Sequence, residues 1–261
     1  MAHYALATKL AMALALAIQP FGLWWYPRRF AVLAGPGGPA ETARFWLVGL
    51  ALLVWLVTPD LQAWVALALA AAALAAGKHV VVDKPFTLTA TEAQQLQVQA
   101  GVHRCLLSAF HNRRWDADFL TVRQLLQEGT LGDIALFESR FERYRPQVQA
   151  RWRESAGSGG GLWFDLGPHL LDQTLQLFGR PRTIHADFAA QRCGAVATDY
   201  FHVQLHYGRL RVRLSASSLI SGGVPRFAVH GTLGSYVKYG LDTQEAALKR
   251  GEAPGCHGWG E

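Results

Sequence analysis

The sequence of 261 residues predicts an α/β segment followed by an α+β domain with an open, mainly antiparallel sheet. Three observations support this fold class. Residues 78–110 have the pattern strand, helix, strand; a glycine-led helix begins near residue 159; and five short strand-like segments with turn residues between them occupy residues 183–239. The length allows one large domain or two ordinary ones, each with its own hydrophobic core.

Composition excludes a disordered chain and gives no support to nucleic-acid binding. Hydrophobic residues make up 51% of the chain and charged residues 17%. The formal net charge of +6 favours anionic ligands, yet there is no lysine-rich run and no basic stripe with interleaved aromatic residues. Cys105, Cys193 and Cys256 have neither disulfide-framework nor zinc-site spacing. Such cysteines are typical of a reducing compartment, so we expect a cytoplasmic protein.

Residues 1–77 differ from the rest of the chain. Residues 1–76 hold only six charged side chains, and the apolar runs 45–57 and 63–76 are shorter than the roughly 20 residues of a membrane-spanning helix. We therefore expect no membrane segment, with a membrane-tethered protein as the alternative. Residues 35–40 have the G-x-G-x-x-A spacing of a dinucleotide-binding turn, but Pro36 and Pro39 lack the N–H groups that a pyrophosphate needs. A glycine-proline turn is the favoured interpretation.

The first regular elements are predicted over residues 78–110. "KHVVVDKPF" is a β-branched run, Thr89 or Thr91 can cap a helix that ends at Gly101, and "HRCLLSAF" indicates a second buried strand. In a parallel α/β unit, ligands bind at the carboxyl ends of the strands. The segments 83–85 and 111–114 each follow such an end, so we expect them to share one site.

The later elements indicate an α+β domain. Residues 116–128 have helical spacing, with Gly129 as the stop, and "DIALFESRFERY" alternates like a half-exposed strand. Beyond the glycine-led helix, strands are predicted within residues 183–192, 199–207, 210–220, 226–232 and 234–239. Gly208 and the pair at 222–223 provide turns between them, which favours an antiparallel sheet.

The helix predicted from "GGGLWFDLGPHLLDQ" carries the strongest chemical pattern. Asp165, His169 and Asp172 follow at intervals of four and three, so they share one face. A neutral imidazole can accept the proton of an alcohol, Asp165 can bind a hydroxyl or orient His169, and Asp172 can cap, form a salt bridge or support His169. Lys84 can stabilise negative charge on an oxygen. We expect an apolar stripe beside this face, formed by Leu162, Leu166, Leu170, Leu171 and Leu175.

Two alternatives remain for this helix. The first is a structural histidine with surface aspartates, and a glycine run that lets the backbone approach a ligand closely weighs against it. The second is a metal site in which His111 joins Asp165, His169 and Asp172. The helix lacks the His-x-x-x-His pattern of common zinc helices, so we expect no metal.

Two stretches resemble motifs of the Gfo/Idh/MocA family of NAD(P)-dependent oxidoreductases. "GKHVVVDKPF" is similar to the family's Glu-Lys-Pro motif, with Asp83 in place of the glutamate. "GGGLWFDLGPHLLDQ" is similar to its glycine-rich helix motif, with Asp165, Gly167, His169 and Asp172 in register. "FHNRRWDADF" and "RFAVHGTLGSYVKYGLD" also resemble family segments. The resemblance covers about residues 74–255.

The resemblance implies a Rossmann domain followed by an α+β domain. The implied activity moves a hydride between NAD or NADP and a hydroxyl carbon of a sugar, cyclitol or related small molecule. By position, Lys84 would contact the substrate and assist proton transfer, Asp165 would bind substrate hydroxyls, and His169 would be the general acid/base. The residues implied near the cofactor are Asp83, Lys84, Pro85, Asn112 and Arg113. A homo-oligomer formed through the antiparallel sheet is also implied.

The chain also departs from the family's pattern. We divide it into an atypical apolar segment, 1–77, in place of most of a Rossmann domain; the C-terminal part of that domain, 78–111; and a C-terminally incomplete α+β domain, 112–261. We expect a truncated member whose first part is altered or translated out of frame. The alternative is an inactive remnant that lacks a competent dinucleotide site.

Overall fold

The computed structural model describes residues 59–157, 159–254 and 259. The expectations for residues 35–40, for the apolar run 45–57 and for Cys256 lie outside these residues. The described residues divide into two compact units. One comprises residues 59–80 and 89–106, and the other comprises residues 81–88 together with the chain from 107 onward.

The first unit is built from two helices. Helix α1 (Pro59–Ala75) packs against helix α2 (Ala90–Val102). Of the two caps that the sequence allows, Thr89 and Thr91, the structure shows Thr89, which caps α2 through a reciprocal pair of hydrogen bonds with Glu92. The buried side chains of this unit are Ala70, Leu74, Leu96 and Ala100. Among the described residues, no helix combines the length and the apolar character needed to cross a bilayer.

Two predicted strands pair in a small sheet. These are β1 (Val80–Asp83) and β2 (Leu107–Phe110), each shorter than the run that predicted it. A 3₁₀ turn (Asn112–Trp115) follows β2, and helix α3 (Ala117–Gln127) follows the turn. α3 ends beside Gly129, which has φ +67° and is the predicted stop.

The second unit is organised around an open six-stranded sheet. Its strand order is β4-β5-β6-β3-β7-β8, in which only β3 and β6 run parallel. This confirms the expected open, mainly antiparallel sheet. The strands are β3 (Ile134–Arg140), β4 (Thr183–Ala189), β5 (Tyr200–Tyr207), β6 (Leu210–Ser217), β7 (Phe227–Gly231) and β8 (Ser235–Lys238). A 3₁₀ turn (Trp152–Glu154) precedes the long helix, and α5 (Gln244–Lys249) follows β8.

β3 is more buried than its alternating sequence predicts. It lies between β6 and β7, and Phe137, Glu138 and Ser139 are all buried. The polar positions are tolerated because each has a partner. Ser139 accepts a hydrogen bond from buried Arg226 at 2.6 Å, and Arg140 lies 2.8 Å from Glu138. The predicted alternation of a half-exposed strand therefore holds over residues 134–136 and is wrong at residues 137–139, where burial depends on the neighbouring strands.

Helix α4 (Gly161–Phe178) is the predicted glycine-led helix and packs on β5 and β6. Leu166 and Leu170 are buried, and Leu162 and Leu171 are partly buried against the core. Leu175 is 36% exposed, so the predicted stripe is wrong at that position. The core side of the helix continues through Gln173 and Thr174 instead, which lie three and four residues beyond Leu170.

Candidate active site

Lys84 and Asp165 form an ion pair between the end of β1 and helix α4. The Lys84 ammonium donates to Asp165 Oδ1 at 2.8 Å and to the Asp165 main-chain oxygen at 2.6 Å. The side chains are only 15% and 17% exposed. Arg153 Nε lies 3.3 Å from the same carboxylate oxygen. Burial raises the pKa of Asp165, but the hydrogen bond and charge of Lys84, with the charges of Arg153 and Arg143, hold it below its usual value.

His169 lies one helical turn beyond Asp165 and is 4% exposed. Burial, together with the positive charges of Lys84 and Arg113 and the neighbouring His111, lowers the pKa of His169 from 6.5 to about 3. The imidazole is therefore neutral at physiological pH. Its Nδ1 atom is buried and has no hydrogen-bond partner among the residues that the structure describes. A neutral imidazole with an unsatisfied nitrogen can accept or relay a proton.

Asp172 binds the segment that follows β2. Arg114 donates to both carboxylate oxygens of Asp172, with distances of 2.7 and 2.6 Å, and His111 Nε2 lies 3.9 Å away. Of the three expectations for Asp172, the structure therefore shows the salt bridge. Because Lys84 and Arg114 follow β1 and β2, one face of α4 brings the two strand ends together, as the sequence predicts.

The residues expected near the cofactor lie at these same strand ends. Asp83 is exposed and its Oδ1 accepts the main-chain N–H of Lys84 at 2.7 Å, and Pro85 is half-buried. Asn112 is exposed. Arg113 pairs with Asp116 at 3.1 Å and lies 3.6 Å from Glu245. The structure therefore holds Arg113 by ion pairs within the chain and leaves the Asn112 side chain accessible.

The glycines at the start of α4 are required by close contacts with other segments of the chain. A Cβ at Gly160 would lie 2.5 Å from the Ser155 main-chain oxygen. Gly161 has φ +88°, and a Cβ there would lie 2.9 Å from the Thr198 main-chain oxygen. That oxygen accepts a hydrogen bond from Leu162 N at 2.7 Å. The sequence predicts glycines that admit a ligand; the structure shows that two of them also let the chain's own segments approach each other.

The carboxylates of the site face cations of the chain. Lys84 binds Asp165 and Arg114 binds Asp172, so each of the two carboxylates is already paired with a cation of the chain. Within residues 59–157 and 159–254, no group of three or more His, Cys, Asp or Glu side chains is placed to hold a metal ion. The arrangement instead suits a polar organic ligand beside Lys84 and His169.

Sequence reasoning missed an arginine-lined cleft beside Asp165. Arg143, Arg145, Arg151, Arg153 and Arg192 line it. Four of these arginines belong to the short segment 140–154, whose high arginine content is the signal that was available in the sequence. Their convergence depends on the connection between β3 and α4, which no local pattern predicts.

Comparison with known protein families matches both parts of the chain. Residues 53–111 match the model described as an oxidoreductase family with an NAD-binding Rossmann fold, and residues 119–237 match the GFO/IDH/MocA C-terminal domain. This confirms the resemblance, the fold class and, at the level of the family, the expected nicotinamide cofactor.

Individual relatives agree with this assignment. The oxidoreductase YdgJ of Escherichia coli is 56% identical over 192 residues, which cover 74% of this chain and 56% of that protein. The scyllo-inositol 2-dehydrogenase (NADP(+)) IolW of Bacillus subtilis is 48% identical over 72% of this chain and 53% of its own length. The solved structure of the oxidoreductase YPO2259 from Yersinia pestis is 52% identical with a TM-score of 0.69, covering 77% of this chain and 56% of that one.

The chain spans about half the length of the curated relatives it matches. The regions matched by the two family models nevertheless include both motifs, and in the structure Lys84 binds Asp165, one helical turn before His169. The chain belongs to the GFO/IDH/MocA family of oxidoreductases.

Proposed function

We propose that the protein transfers a hydride between NAD or NADP and a hydroxyl-bearing carbon of a sugar, cyclitol or related compound. The observation that carries this proposal is a neutral, buried His169 beside the Lys84–Asp165 ion pair. A relative of this chain is named as a scyllo-inositol 2-dehydrogenase, which supports a polyol substrate. The redox class is that of the family; the substrate class is our proposal.

The side chains have complementary roles in this proposal. When bound, the nicotinamide supplies the carbon that accepts or donates the hydride. In the oxidation direction, His169 accepts the hydroxyl proton while the C–H bond breaks and the C=O bond forms. The Lys84 ammonium has three N–H donors. Two of them bind the main-chain oxygen and Oδ1 of Asp165, so one donor remains for the substrate oxygen. Asp165 fixes the ammonium and offers an acceptor to a neighbouring hydroxyl.

The residues that would hold the cofactor are Asp83, Lys84, Pro85, Asn112 and Arg113. They lie at the carboxyl ends of β1 and β2, where ligands of parallel α/β units bind. The accessible Asn112 side chain can hydrogen-bond a polar cofactor, while Lys84 and Arg113 are held in place by their ion pairs with acidic residues of the chain. The alternative is an inactive remnant without a competent dinucleotide site.

A fluorescence titration with NADH and with NADPH distinguishes the proposed oxidoreductase from the inactive remnant. We expect saturable binding that weakens in Lys84→Ala, followed by turnover of a polyol in a screen that includes scyllo-inositol, with turnover lost in His169→Ala. A folded chain that binds neither nucleotide would contradict the proposal and support the inactive remnant.

Three further assignments belong to this proposal. These are the domain boundaries after residues 77 and 111, a homo-oligomer formed through the antiparallel sheet, and a cytoplasmic location. The two cysteines in the described part of the chain, Cys105 and Cys193, are free thiols, which suits a reducing compartment. Cell fractionation with an antibody against the chain tests the location.

A further inference from the structure

A cleft with a strong positive character opens beside Asp165. The cleft is open to solvent. Five arginines line it against two carboxylates, those of Glu154 and Asp165. All of these residues belong to the unit that contains the six-stranded sheet. We call the five arginines, Arg143, Arg145, Arg151, Arg153 and Arg192, the arginine cluster.

Three members of the arginine cluster have acidic partners. Arg192 is almost fully buried and binds Asp199 at 2.8 Å and Glu154 at 3.1 Å. It also donates to the main-chain oxygens of Arg145 and Gln147. Arg151 binds Glu154, and Arg153 binds Asp165. The two lining carboxylates are therefore occupied, and Arg192 acts as a fixed part of the wall.

The other two members, Arg143 and Arg145, have no acidic group within ion-pair distance among the described residues, and the charge of Asp165 acts on Arg143 only from further away. In the part of the chain that the structure describes, neither guanidinium makes an ion pair or a side-chain hydrogen bond. Arg143 is half-buried. Burial disfavours the charged guanidinium of Arg143 and, with the neighbouring charge of Arg145, lowers its pKa, while the charge of Asp165 acts in the opposite direction. An anion in the cleft would relieve this cost.

We propose that the arginine cluster binds an anionic group, a carboxylate or a phosphate, carried by the substrate. A planar guanidinium binds such groups through two parallel hydrogen bonds, which a neutral hydroxyl cannot provide. This inference rests on the proposed function, because the cleft adjoins Asp165, which binds the Lys84 ammonium and Arg153 through the same oxygen. An anionic group in the cleft would leave the reacting hydroxyl of the same molecule near Lys84.

The position of the cluster distinguishes it from the proposed cofactor residues. Asp83, Asn112 and Arg113 follow β1 and β2, whereas Arg143 and Arg145 follow β3, and Thr198 and Arg192 precede β5. Four members of the cluster therefore reach the cleft from the β3–α4 connection, and Arg192 reaches it from the β4–β5 connection. The phosphates of the cofactor are the competing occupant, and the experiment separates the two.

The test measures binding of D-glucuronate, D-glucose 6-phosphate and neutral D-glucose by calorimetry to the full chain, with and without NADPH. We expect one of the anionic probes to bind at least about tenfold more tightly than glucose, and Arg143→Gln to remove that advantage. The probe that binds identifies the anion as a carboxylate or a phosphate. Arg123→Gln, which removes an exposed arginine from α3, is the matched control and should leave the affinities for all three probes unchanged.

Arg143→Lys keeps the charge but loses the paired hydrogen bonds, so we expect it to bind the anionic probe with intermediate affinity if the variant is folded by circular dichroism. Equal binding of all three probes, or an unchanged affinity in Arg143→Gln, would overturn the proposal. A parallel loss of NADPH affinity in Arg143→Gln would assign the cluster to the cofactor instead. Probe binding without NADPH, in a chain that binds no nucleotide, would mean that the proposed function fails while the anion site stands.

Discussion

His169 is the residue whose environment most clearly sets its chemistry. Burial and the neighbouring Lys84, Arg113 and His111 favour the neutral imidazole, whereas the charge of Asp165 favours the protonated form. The neutral state needed for a general base is therefore a property of the fold. An isolated histidine in the same sequence would be partly protonated at the pH of the cell.

The depressed pKa of His169 makes stability depend on pH. The unfolded chain protonates this histidine below about pH 6.5, whereas the folded chain resists protonation down to about pH 3. Stability from this group is therefore complete above pH 6.5 and is lost as the pH falls. Between pH 7 and pH 5, we expect the wild type to lose about 2 kcal/mol more than His169→Gln. Urea unfolding at both pH values measures the difference; equal losses would show that His169 titrates normally.

The Lys84–Asp165 pair contributes to stability as well as to the site. Both side chains are mostly buried, and removal of one partner leaves the other charge partly uncompensated, although Arg153 still contacts Asp165. A double-mutant cycle with Lys84→Met and Asp165→Asn should give a coupling energy of about 1–3 kcal/mol in denaturant unfolding. Strict additivity of the two single changes would mean that the pair is energetically neutral.

At the scale of elements, helix α4 organises the site because its two faces bind different parts of the fold. Leu166 and Leu170 pack into the core, while Asp165 and Asp172 hold the segments after β1 and β2. The start of the helix is equally constrained, since Gly161 lies against Thr198 of the β4–β5 connection.

This constraint predicts a large effect of Gly161→Ala. Gly161 has φ +88°, and the new Cβ would meet the Thr198 main-chain oxygen at 2.9 Å, so we expect a loss of about 2 kcal/mol or more. Gly101→Ala in α2 is the control, because a Cβ there meets nothing within 4 Å and the helix favours alanine by about 0.5–1 kcal/mol. Thermal unfolding of both variants checks the prediction; a neutral Gly161→Ala would show that this turn is free to rearrange.

At the scale of the whole molecule, the open sheet ends in an edge that invites association. Among the described residues, β4 pairs with β5 alone, and its side chains are almost all exposed, Ile184 among them at 58%. An edge strand with exposed apolar residues presents unpaired N–H and C=O groups to a second chain.

We therefore predict a homo-oligomer that depends on this edge. Ile184→Lys should shift the chain towards the monomer in sedimentation velocity, because a buried lysine at an interface is unfavourable. Val98→Lys on α2 replaces a residue of similar exposure, 65%, and should leave the distribution unchanged. A monomeric wild type would refute the prediction.

The sequence alone determined the local order of the site. The spacing of Asp165, His169 and Asp172 places them on one face of any helix, and the strand–helix–strand pattern places Lys84 at a strand end, because both periods follow from backbone geometry. Thr89 could likewise be recognised as a cap, since its partner Glu92 is three residues away. The family motifs are recognisable for the same reason: each is a short, continuous stretch.

Only the tertiary structure decided which of these groups meet. Asp172 binds Arg114, which is 58 residues away, and Asp165 binds Lys84 at a separation of 81. The burial of β3, the exposure of Leu175 and the convergence of the arginine cluster also depend on packing between distant segments. Hydrophobic periodicity specifies the face that an element buries, but charge pairs and clefts form between elements, where the distances and the effective dielectric are set by the folded whole.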